Sequence, residues 1–193
     1  MITDRKTGGP LPFGDSACAS VVPVNFPSGA CVDFDGHYTL DGLGPYDWPV
    51  EFSESHGLDA DYAWQWSGNA ADRDSAELVP VRSGQTTTVD GSLERAGMVT
   101  GQVLNPDGTG LLDNATVQAF NTTTGDAAGP WTFSLWGGPY TLSGMDSQRI
   151  KIEYFVTQQH RWYLDERTFE DATPVHVVRG HTVSGVDLVL PAK

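Results

Sequence analysis

Apolar and polar side chains alternate with a period of two along much of this chain. Trp48, Val50 and Phe52 are separated by Pro49 and Glu51, and Tyr62, Trp64 and Trp66 by Ala63 and Gln65. The same rhythm runs through 115–120, and through 150–156, where Ile150, Ile152 and Tyr154 form the apolar set. Such patterning puts alternate residues on one face of a half-buried strand. Long helical patterns are missing. Turn chemistry separates the runs, at Gly8-Gly9-Pro10, Pro27-Ser28-Gly29, Asp41-Gly42 and Asn105-Pro106-Asp107-Gly108. Between the turns the pattern predicts strands at 2–4, 18–24, 38–40, 48–52, 62–66, 76–81 and 86–93. It predicts further strands at 98–104, 115–120, 131–135, 140–142, 150–156, 161–164, 174–178 and 183–190. Pro23 marks an edge or a bulge, and Pro49 falls at an outward edge position that needs no N–H.

One stretch occurs twice. Gly36-His37-Tyr38-Thr39-Leu40-Asp41-Gly42-Leu43 returns as Gly138-Pro139-Tyr140-Thr141-Leu142-Ser143-Gly144-Met145. Downstream, Val79-Pro80-Val81-Arg82-Ser83-Gly84 sets against Val175-His176-Val177-Val178-Arg179-Gly180, and Val89-Asp90 against Val186-Asp187 after one inserted residue. Anchors in the same order predict two units, residues 1–94 and 95–193, each of a size that supports one core. Glu94-Arg95-Ala96-Gly97 is too short for a flexible linker, so a direct passage from one unit's last strand to the next one's first is expected. Ile2-Thr3-Asp4 matches only the end of the strand that opens the second unit. The expectation is therefore that the chain begins inside a strand and is a cut fragment.

Composition narrows the function classes. Of the 193 residues 22 are Gly and 12 Pro, consistent with many turns. Only 11 Lys and Arg stand against 25 acids, a net charge of −14. Such a surface repels phosphate backbones and anionic membranes, so nucleic-acid binding is disfavoured. No apolar run reaches the ~18–20 residues of a membrane span. The cysteines are Cys18 and Cys31, an even count that permits a disulfide without requiring one.

The order of motifs resembles a known family. A strand leads to Thr7-Gly8-Gly9-Pro10-Leu11 or Pro106-Asp107-Gly108, then to an Ala-x-Val strand, the Gly-x-Tyr-Thr-Leu-x-Gly stretch and an alternating aromatic strand. A Trp-bearing strand, a polar Asp-rich loop and a closing Gly-x-Thr-x-x-Val-Asp strand follow. This resembles the carboxypeptidase regulatory-like domain, a transthyretin-like sandwich related to the collagen-adhesin B-type repeats, twice over nearly the whole chain. The resemblance implies an all-β chain of two tandem antiparallel Greek-key β-sandwiches of transthyretin-like or Ig-like type. It also implies a place in a secreted or cell-surface protein and a Cys18–Cys31 disulfide. The second unit carries no matching cysteines. Some adhesin relatives carry a Lys–Asn isopeptide bond, but 98–104 holds no Lys and 183–190 no Asn, so none is expected here.

Catalytic motifs are missing. There is no Gly-x-Ser-x-Gly and no HExxH, and His37, His56, His160, His176 and His181 are scattered. No cofactor and no metal site is expected. Asp33 and Asp35, and Asp72 and Asp74, lack the spacing of a calcium loop and read as turn residues. Asn114 and Asn121 head glycan-acceptor triplets usable only in a eukaryotic secretory route. The aromatic residues are the candidate ligand contacts. Trp64 and Trp66 share a face, which packs in the core or the seam between units, or else forms an outward platform. Trp131 and Trp136 carry the same ambiguity. The sequence thus points to a non-catalytic spacer and interaction module, whose partners are neighbouring domains or an extracellular protein or glycan. The alternative is a carbohydrate-binding, starch-binding-like module accessory to a polysaccharide-degrading enzyme.

Overall fold

A computed structural model describes residues 1–11, 17–21, 29–54, 60–110, 114–134, 138–156 and 159–190. The protein is nearly all β. The described residues contain no α-helix and one 3-10 turn, Arg73–Ser75, capped by Asp72. No helix among them is long and apolar enough to cross a membrane.

The C-terminal half is built on its longest alternating runs. Strands β9 (Gly97–Leu104), β10 (Ala115–Asn121), β11 (Thr132–Ser134), β12 (Pro139–Met145), β13 (Gln148–Val156) and β14 (Gln159–Trp162) are followed by β15 (Val175–Val177), β16 (Thr182–Ser184) and β17 (Leu188–Val189). One sheet has the order β11-β10-β13-β14, with β15 also on β13. The other has the order β12-β9-β16, with β17 also on β9. Neighbours are antiparallel except β16 and β17, which run parallel to β9. Val99, Val117, Ala119, Tyr140, Leu142, Ile150, Ile152, Tyr154 and Leu188 interleave between the sheets as one core. Gly101 sits where backbones cross: a Cβ there would lie 2.0 Å from the Val186 carbonyl oxygen.

The N-terminal half has a separate core around Ile2, Ala17, Ala19, Val50, Phe52, Tyr62 and Leu93. Its strands are β1 (Ile2–Asp4), β2 (Ala17–Ser20), β3 (Ala30–Cys31), β4 (Asp47–Trp48), β5 (Glu51–Glu54), β6 (Gln65–Trp66), β7 (Val79–Pro80) and β8 (Gly91–Leu93). They form an antiparallel sheet β3-β2-β5-β6, a parallel pair β1-β8 and an antiparallel pair β4-β7.

Several elements differ from the sequence-based expectation. The 48–52 run is not one strand: β4 pairs with β7 while β5 pairs with β2 and β6. Pro49, which has no N–H to give either ladder, lies at the changeover. The 62–66 run does not alternate in burial, because Ala63 and Gln65 are buried along with Tyr62 and Trp66. Both faces of that segment are covered. The 38–40 stretch is not a strand, whereas its counterpart is β12. Pro23 and the turn at 26–28 lie outside the described residues. The last run, 183–190, divides into β16 and β17 around Gly185, whose φ is +77°.

Candidate interaction surfaces

Cys18 and Cys31 face each other in register across β2 and β3 and are joined as a disulfide. The bond ties a two-residue edge strand to the sheet.

The tryptophans do not act as pairs. Trp66 is only 4% exposed; it touches solvent through a recess of about 310 Å³ that it lines with Phe52, Glu77 and Thr88. Trp64 is half-buried: its backbone N–H donates to the Gly144 carbonyl (2.8 Å), and its indole Nε1 to the Glu54 carbonyl (3.2 Å). The Trp66 ring is thus enclosed by its own half, and the Trp64 indole is held by Glu54 of that same half while only the Trp64 backbone bonds across the seam. Trp131 is 43% exposed and meets Phe133 edge-to-face, 4.7 Å between centroids. Trp136 lies outside the described residues. Asp33 Oδ1 accepts from the Asp35 and His37 N–H groups, and Asp72 Oδ1 from Ser75 N–H, so both carboxylates close turns. No group of three or more His, Cys, Asp or Glu among the described residues could hold a metal ion.

The seam between the halves is a paired, polar surface. Ala63 N–H donates to the Glu94 carbonyl and Ala96 N–H to the Asp61 carbonyl, each 2.9 Å. Ala60 N–H donates to Ser143 Oγ at 2.8 Å. Gln65 spends both ends of its amide here: Nε2 donates to Asp146 Oδ2 (2.8 Å), and Oε1 accepts from Glu94 N–H (3.1 Å). Arg179 then bridges Asp146 (3.1 Å) and Glu94 (2.9 Å), and Arg5 also pairs with Glu94. Burial raises the Asp146 carboxyl above the ordinary range, against the bonds from Ser147, Arg179 and Gln65. Glu51, 3% exposed, is pushed up to about 8 by burial and by the nearby charge of Asp126. Arg73 Nε approaches Asp126 Oδ2 at 3.1 Å, off the hydrogen-bond direction. Sequence reasoning missed Gln65, Glu94, Asp146 and Arg179. The available signal was a polar Gln65 set between two tryptophans in a strand expected to be half buried.

A groove of about 700 Å³ opens in the N-terminal half, between 37–43 and 81–90. Tyr38, Leu40, Leu43, Trp48 and Val89 lie along it, packed on the core yet only partly buried. Their counterparts Tyr140, Leu142, Met145 and Val186 are fully buried. The two copies are otherwise pinned alike: the Tyr38 hydroxyl donates to the Val89 carbonyl (2.7 Å), and the Tyr140 hydroxyl to the Val186 carbonyl (2.6 Å). Gly42 and Gly144 share a φ of +74°.

No family model matches the chain, and no curated protein matches it. Two solved structures are similar in outline. One is GBS52, the minor pilin of the gram-positive pathogen Streptococcus agalactiae, at 12% identity and a TM-score of 0.35, over 97% of this chain and 87% of that one. The other is a leucine-rich repeat protein from Bacteroides thetaiotaomicron VPI-5482, at 9% identity and a TM-score of 0.28, over 93% of this chain and 24% of that one. Scores this low assign neither a family nor a function.

Proposed function

We propose that the chain is a non-catalytic spacer and interaction module of a larger secreted or cell-surface protein. In this reading residues 1–94 and 95–193 are carboxypeptidase regulatory-like sandwiches set end to end. The observation that carries it is the seam: Gln65, Glu94, Asp146 and Arg179 lock the two halves across a junction with no free linker. Buried, hydrogen-bonded charge at a junction fixes relative orientation, which is what a spacer supplies. An extracellular setting is supported by the Cys18–Cys31 bond, since disulfides persist in oxidising compartments. The test is 15N relaxation on the intact chain. One common rotational correlation time for both halves is expected, and separate times would overturn the rigid spacer. The glycan-binding reading rests on the exposed Trp131. It requires retardation in affinity electrophoresis on starch, chitin or cellulose that is lost in Trp131→Ala.

A further inference from the structure

The two halves carry a glutamate at the same place. Glu51 of β5 stands opposite Trp66 of β6, and Glu153 of β13 stands opposite Trp162 of β14. The neighbours Val50 and Phe52, like Ile152 and Tyr154, belong to the cores. Alternation therefore turns both glutamates to the outer face of their sheets. Glu153 is partly exposed there and pairs with His160. Glu51, on the matching face, is 3% exposed. The C-terminal half reaches that face with Asp126, whose charge acts on Glu51.

The groups around Glu51 suit its protonated form. Ser20 Oγ of β2 lies 3.5 Å from Glu51 Oε2, at the outer limit of a hydrogen bond, and the β6 residue opposite is Trp66. Asp126, facing from the other half, has the same sign as an ionised Glu51. Arg73 Nε, on the 3-10 turn, lies 3.1 Å from Asp126 Oδ2 but off the hydrogen-bond direction, and its side chain is partly exposed and screened by water. Asp146, a second buried seam carboxyl, is faced by Arg179, Gln65, Glu94 and the Ser147 N–H. The chain crosses between the halves at 94–97. Tyr62 and Arg95 form an antiparallel bridge there, with Ala63 N–H on the Glu94 carbonyl and Ala96 N–H on the Asp61 carbonyl. The contacts of Trp64 with Gly144, Ala60 with Ser143 and Arg73 with Asp126 join the halves at places remote in sequence from that crossing.

We propose that the seam is a pH-gated hinge pivoting at 94–97: opening it hands the Glu51 proton to solvent, so rising pH favours the open form. A glutamate in water releases its proton near pH 4.5, whereas burial and the Asp126 charge make enclosed Glu51 keep it to about pH 8. Between those values each opening releases one proton. The opening equilibrium then rises about tenfold per pH unit and is level outside the window. Asp146, raised by burial, adds in the same direction. The inference rests on the spacer reading and adds its regulation: a module stiff in acid becomes jointed as the surroundings turn alkaline.

The test is hydrogen exchange of the 193-residue chain at about pH 5.5 and about pH 7.5, corrected for the intrinsic rise of exchange with pH. The Trp64 and Ala60 amides, which donate across the seam, are expected to exchange faster than the ladder between β2 and β5. Their protection is expected to fall about 100-fold between the two pH values. Glu51→Gln is expected to remove most of that fall, and Glu153→Gln, at the matching place away from the seam, to leave it unchanged. Each of four results overturns the proposal: seam amides no faster than the ladder, protection independent of pH, the full parental fall in Glu51→Gln, or an equal loss of it in Glu153→Gln. Separate tumbling of the halves at the lower pH would sink spacer and hinge together, whereas common tumbling with a pH-independent seam would sink the hinge alone.

Discussion

Glu51 ties the stability of this fold to pH. Its neighbours in sequence, Val50 and Phe52, are core residues, and it is buried with them at the seam, facing Asp126. An unfolded chain releases this proton near pH 4.5, while the folded chain keeps it to about pH 8. Between those values folding takes up a proton, so the Glu51 contribution to stability falls as pH rises and is level outside that window. The raised Asp146 carboxyl acts in the same direction. Asp4 acts oppositely: the Tyr62 hydroxyl, 2.6 Å from Oδ2, holds its carboxyl low, and that contribution is lost as acid is added. Urea unfolding at about pH 5 and about pH 8 checks this. Glu51→Gln is expected to flatten the decline and to be more stable than the parent by a few kcal/mol at the upper pH. A variant with the parental slope would contradict the assignment.

At the scale of elements, the disulfide carries the clearest expectation. It closes a loop of sequence separation 13 and secures β3, whose ladder with β2 among the described residues pairs Cys18 with Cys31 and Ala19 with Ala30. Closing such a loop is worth ~2–3 kcal/mol. Cys18→Ser/Cys31→Ser is expected to lower stability by that amount and to free the Ala30 amide to exchange. An unchanged melting curve would count against a structural role. Which elements were legible in the sequence follows a physical rule. Where a strand lies in a two-layer core, as 115–120 and 150–156 do, period two survives and strand bounds are read closely. Where a second surface covers the outer face, the rhythm fails. Ala63 and Gln65 are both buried, and Gln65 bonds Asp146 of the other half, a contact that local alternation does not encode. The 38–40 stretch shares the letters Tyr-Thr-Leu with β12, but among the described residues no segment pairs with it as β9 pairs with β12, and a ladder is a property of two segments. The Cys18–Cys31 pairing came from family likeness, and the seam polar network came from neither likeness nor periodicity.

For the whole molecule, the seam decides behaviour. Gln65 joins Asp146 of one half to the Glu94 backbone at the boundary, and Arg179 ties the same two acids from the other side. Removing the amide leaves a buried carboxylate short of a donor, a loss of ~1–3 kcal/mol. Gln65→Ala is therefore expected to destabilise by that amount and to expose Arg95 to trypsin in the native state, where the parent resists. Equal cleavage of both proteins would show that the junction is held by other contacts. The parallel arrangement of β9 with β16 and β17 has a mechanical meaning as well. The first and last strands of the C-terminal half lie side by side and point the same way. A pull applied at the two ends of that half loads their hydrogen bonds in shear, all together, instead of peeling them one by one. A module placed between a cell and whatever its parent protein holds would then yield to tension late and abruptly.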